Sequence, residues 1–149
     1  MVRWLAFNLM LLGCCGYALR RGGAPERLGS LIFLVAAALT VLGASPFGTR
    51  FHHVELGILV VDAAILFAFV ALAIRSERFW PIWMAGLQTV EVLTHFARLV
   101  TPDIIPPTYG EAIALWSYPM LVLLAIGTWR HRRRLRRFGA DNPWKNASG

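Results

Sequence analysis

The chain has 149 residues, 57% of them hydrophobic and only 15% charged, with a mean hydropathy of +0.57. So few charges cannot clothe a soluble domain of this length, which points to lipid as the solvent. The formal net charge of +7 is uneven, with Arg130, Arg132, Arg133, Arg134, Arg136 and Arg137 in one segment, so membrane topology explains it and no nucleic-acid partner is expected.

Five apolar runs are expected to be spans. The first, 4–19, is only about 24 Å of helix at about 1.5 Å per residue, and needs arginines that snorkel or a locally thinned bilayer. It holds the two cysteines, Cys14 and Cys15, which are adjacent and so neither bridge nor match a metal motif. They are expected to pack as small apolar residues. Leu11-Leu12-Gly13-Cys14 resembles a lipoprotein cleavage box, but Leu12 is bulky for it. Cations also follow this run more than they precede it, so the segment is expected to stay as a span.

The second run, 28–43, stops at the turn cluster Ser45-Pro46-Phe47-Gly48. The third and fourth, 54–74 and 79–100, are joined by so short a link that they must form an antiparallel hairpin. The fifth, 112–129, carries Pro119 in mid-run, where a kink is expected with Ser117 available to a freed backbone group. Trp4, Trp80, Trp83, Tyr109 and Trp129 fall near span ends, where an interfacial aromatic belt is expected.

Cations in the connections set the orientation. Arg20, Arg21 and Arg27, then Arg75 and Arg78, then the arginine tail with Lys145 alternate so that five spans place all three on one side. The expectation is an all-α membrane protein of five transmembrane helices, N-terminus outside and C-terminus cytoplasmic. Residues 1–129 would be one helical bundle and 130–149 a basic cytoplasmic tail, mobile from Asp141 on, whose Arg130, Arg132, Arg133, Arg134, Arg136 and Arg137 anchor the topology or, as a second reading, hold anionic lipid headgroups.

The chemistry concentrates in the hairpin. Gln88, Glu91, His95 and Arg98 share one face of the fourth helix, and Glu55 and Asp62 share one face of the third. The hairpin register sets Glu55 level with Arg98, a structural ion pair, and Asp62 level with Glu91, with His95 one turn outward. A lone charge at the centre of a span costs about 2.5–3.5 kcal/mol even on the lenient insertion scale. Two carboxylates at one depth therefore need a shared proton, a protonated His95 or a metal. Asp62, Glu91, His95 and Gln88 form the candidate proton or ion site. His52 and His53 with His95 could ligate haem or a metal, but the register opposes it and no known metal spacing is present, so no metal or cofactor is expected.

Arg78-Phe79-Trp80-Pro81, the segment through His95, and Trp116-Ser117-Tyr118-Pro119 resemble small uncharacterised polytopic inner-membrane proteins of bacteria. The resemblance implies a bacterial cytoplasmic membrane and brings no activity or catalytic residue. The expected job is that of a non-enzymatic accessory subunit or assembly factor of a larger membrane complex, or a homo-oligomer. The alternatives are a small proton- or ion-coupled carrier using Asp62, Glu91 and His95, and a haem- or metal-binding redox protein.

Overall fold

Five helices and no strands form the described part of the chain; the computed structural model describes residues 2–43, 56–100 and 106–145, with side chains over 5–42, 57–97 and 115–145. They are α1 Val2–Arg21, α2 Ala24–Gly43, α3 Leu56–Arg75, α4 Trp80–Val100 and α5 Pro106–Phe138. Each packs on the next, and α1 also packs on α5, so the helices close a ring that α2 and α5 cross. An apolar core of Leu11, Cys15, Phe33, Phe69, Met84 and Leu124 fills the middle. Cys15 packs there as a small apolar residue, and both cysteines are free thiols.

Two of the five helices contain stretches long and apolar enough to cross a membrane, Ala24–Leu42 and Gly57–Arg75. In α4 the residues that lower hydropathy, Gln88, Glu91 and His95, are those turned into the bundle. The surface is correspondingly apolar, with Leu42, Phe67 and Val41 exposed by 81%, 74% and 73%.

The α1–α2 turn has only Gly22 and Gly23 between the helices, and a Cβ on Gly22 would lie 2.5 Å from the Ala18 carbonyl oxygen. Gly23 caps α2: its carbonyl accepts from Arg27 N–H at 3.0 Å, and its own N–H donates to Glu26 Oε2 at 3.1 Å, the return half of a capping box. Pro25 sits in the first turn, where its missing N–H leaves no gap. These signals start α2 four residues before the apolar run does.

Glu26 is fully buried and does more than cap. Trp80 Nε1 donates to its Oε1 at 3.1 Å, and Arg78 Nε stands 3.3 Å from the same oxygen, near enough for charge attraction but not aligned as a hydrogen bond. Trp80 was expected at the lipid interface; it is instead completely buried. Glycines on two helices make its slot, since a Cβ on Gly127 would meet its ring at 2.4 Å and one on Gly29 at 2.6 Å. Trp83 and Trp129 do lie exposed, whereas Trp4 and Tyr109 have side chains outside the described residues.

The basic tail is ordered through Lys145. Helix α5 runs on to Phe138 because arginine and leucine are good helix formers, and Gly139 ends it at a φ of 72°. The chain then returns to the α3–α4 connection. Lys145 N–H donates to the Arg75 carbonyl at 2.9 Å, Glu77 N–H donates to the Pro143 carbonyl at 3.3 Å, and Ser76 and Trp144 form an isolated antiparallel bridge.

Asp141 clasps this strap to the bundle. Arg78 Nη1 donates to Oδ1 at 2.9 Å, Arg134 Nε to Oδ1 at 2.7 Å, and His131 Nδ1 lies 2.6 Å from Oδ2. Arg78 Nη2 also approaches His131 Nδ1 at 3.4 Å, but that nitrogen is directed to the carboxylate. Burial alone would raise the Asp141 carboxyl, but hydrogen bonds from Arg134, Arg78 and His131 outweigh it and hold it down at about 2. With the folded value depressed below its ordinary 3.8, the clasp stabilises the fold fully above that value and loses its effect as pH falls from 3.8 toward 2. In detergent melts, Asp141→Asn is therefore expected to unfold earlier than the parent at pH 6, and the two curves should converge toward pH 2. A gap independent of pH would contradict the assignment.

Candidate functional site

Helices α3 and α4 run antiparallel because only Ser76 to Phe79 separate them. Asp62 faces α4 between Gln88 and His95, the two residues that flank Glu91 on its face. Gln88 Nε2 donates to Asp62 Oδ1 at 3.3 Å and approaches the Asp62 carbonyl at 3.4 Å. His95 Nε2 lies 2.9 Å from Asp62 Oδ2, so one proton lies between imidazole and carboxylate. Glu91 turns the other way: Ser117 Oγ on α5 donates to its Oε1 at 3.1 Å.

All four of these α3 and α4 residues are buried, His95 at 0% exposure and Gln88 at 1%. The cluster thus spans three helices and holds an acid–imidazole pair beside a second carboxylate whose partner is a neutral hydroxyl. Such a site can accept or release a proton without bringing a charged group to the surface.

The structure sets Asp62 level with Glu91, in contact with Gln88 and His95 on either side of it, and gives Glu91 the Ser117 hydroxyl as hydrogen-bond partner. Ser117 was expected to serve the backbone freed by Pro119; a buried carboxylate is the stronger attractor. The expected Glu55–Arg98 pair and the histidines His52 and His53 lie outside the described residues. Among the described residues no group of three or more histidine, cysteine, aspartate or glutamate side chains could hold a metal ion.

The six tail arginines divide by contact. Arg130 stacks on Phe79 at 4.5 Å and Arg133 on Trp129 at 5.5 Å. Arg134 binds Asp141, Arg132 and Arg136 line a groove at the α1–α2 turn, and Arg137 is exposed. Sequence reading missed the cluster of Glu26, Arg78, His131 and Asp141. Only Glu26 carried a local signal, being an acid three residues after Gly23 in front of an apolar run. Comparison with known proteins finds no matching family, no matching curated protein and no matching solved structure.

Proposed function

We propose that this chain is a small five-span protein of a bacterial cytoplasmic membrane, N-terminus outside and C-terminus inside, that binds and passes a proton at Asp62, His95 and Glu91. The observation that carries the reading is the 2.9 Å contact between Asp62 and His95, both buried in the bundle. Ionisable groups are expensive in a span, and hydrogen-bonded glue between helices can be built from neutral side chains; an acid, an imidazole and a second acid are the parts of a proton relay. Support for the membrane comes from the two apolar helices and from an inside-out pattern, apolar residues exposed and Asp62, Gln88, Glu91 and His95 buried. Support for the orientation comes from Arg20, Arg21, Arg75 and the α5 arginines, which gather at the end where Glu26, Arg78 and Asp141 meet.

In proteoliposomes carrying an internal pH dye, an imposed potential should drive proton uptake by the parent. Asp62→Asn and Glu91→Gln should lower it by about tenfold or more while both remain folded. Uptake unchanged in both variants would end the proton reading. The alternative is an accessory subunit of a larger membrane assembly. It is favoured by the near absence, among the described residues, of any folded unit beyond the helices except the strap at 141–145. Purification in mild detergent would then bring a larger membrane protein along.

A further inference from the structure

A groove of about 540 Å³ opens between the α1–α2 turn and the end of α5. Arg20, Arg21, Arg27, Arg132 and Arg136 line it, with Gly22, Gly23 and His131 beside them, and no carboxylate appears in its lining. The nearby acids are committed elsewhere: Glu26 holds Trp80 and Gly23, and Asp141 holds Arg78, Arg134 and His131. Five like charges from three helices line one recess, and no carboxylate among the described residues pairs with them, so an entering anion is attracted. Arg27 is already aimed, its Nε donating to the Gly22 carbonyl at 3.2 Å.

A second groove, about 310 Å³ and wholly apolar, begins one residue further along α2 at Leu28 and runs between α2 and α3 past Leu31, Val35, Ala64 and Ala68. Leu31 lies one turn from Arg27 on the same side of α2, so the polar recess and the apolar channel adjoin. We infer that the two together bind an anionic phospholipid, its phosphate among the arginines and an acyl chain along α2 and α3. Guanidinium groups match phosphate oxygens in pairs. This rests on the membrane placement proposed above but not on the proton site.

Native mass spectrometry of the full chain in neutral detergent tests it. Phosphatidylglycerol should be retained over phosphatidylcholine of the same acyl chains, and the triple variant Arg20→Gln, Arg132→Gln, Arg136→Gln should lose roughly a hundredfold in that binding. Arg133→Gln with Arg137→Gln, two arginines outside the groove, should bind like the parent, as should Asp62→Asn. Equal loss in this control pair would mean diffuse attraction by the tail and would overturn the site. Ala64→Phe, which fills the apolar channel, should weaken the lipid but leave binding of inorganic pyrophosphate unchanged. If pyrophosphate competes fully at matched concentration and Ala64→Phe has no effect, the ligand is a soluble phosphate and the lipid assignment falls. Recovery of the protein in the soluble fraction of lysed cells would instead remove the membrane placement, whatever the arginines do.

Discussion

Glu26→Ala is expected to lower the stability of the detergent-solubilised protein by about 3–5 kcal/mol, the scale of breaking a buried ion pair from one side. Three contacts are lost at once. Trp80 Nε1 becomes a buried donor without an acceptor, worth about 1–3 kcal/mol, and the part-buried Gly23 N–H loses its cap. Arg78 would keep Asp141 alone to balance a charge only 4% exposed. Relaxation by water entering the α1–α2 turn trims the total, so simple addition of these terms overstates it. Glu26→Gln is the milder change: its amide oxygen still accepts from Trp80, while the charge and the acceptor for Gly23 N–H are lost. The expected order of melting temperatures is parent, then Glu26→Gln, then Glu26→Ala. An alanine variant that melts with the parent would mean that Glu26 is solvated and that Trp80 is held by packing alone.

The contrast between Glu26 and Asp62 explains what could be read from sequence. Asp62, Gln88 and His95 were legible because a four-residue connection fixes an antiparallel hairpin, and within a hairpin helical periodicity fixes depth. Glu26 lies in α2 and Arg78 in the α3–α4 connection, which no hairpin joins, and Arg78 and Asp141 are 63 positions apart. No periodicity links such residues; only the closure of the ring brings them together. Arg78 therefore read as one more cation on the cytoplasmic side when it is in fact buried and paired. Trp80 failed for a related reason. A tryptophan at a helix start suits an interface by propensity, and the slot that buries it is cut by Gly29 and Gly127, whose closeness to it is a tertiary fact. Helix existence was robust and helix ends were not, because capping at Gly23 and the helix-forming arginines after Trp129 extend helices past their apolar runs.

The two buried networks have different characters. At the Glu26 end, acids and cations balance: Glu26 and Asp141 face Arg78, Arg134 and His131, and the strap at 141–145 is held down by the same carboxylate that faces Arg78. Such a network locks geometry. Around Asp62 the acids have an imidazole, an amide and a hydroxyl for partners and no guanidinium among the described contacts. On the proposed reading, charge there depends on where a proton sits, while the other network holds the helices in place.

That difference sets the second large effect, in the Asp62–His95 pair. Neutral hydrogen bonds between membrane helices average about 0.6 kcal/mol in double-mutant cycles, whereas truncating one partner of a buried charged pair costs about 3–5 kcal/mol. Asp62→Ala removes the acceptor of Gln88 and the partner of His95 Nε2, and His95→Leu takes the imidazole from Asp62. If the shared proton makes this an ion pair, each single variant is expected to lose about 2–4 kcal/mol in reversible unfolding from mixed micelles. The double variant should lose less than the sum, because each single change already removes the contact the two residues share. Asp62→Asn should unfold close to the parent: its oxygen accepts from His95, and the Gln88 amide turns over to accept from its nitrogen. That variant keeps the scaffold and removes the titrating acid, which is why it also serves the flux measurement. Additive single-site losses near 0.6 kcal/mol would identify ordinary helix glue, in which no proton is held against a charge and none is available to pass on.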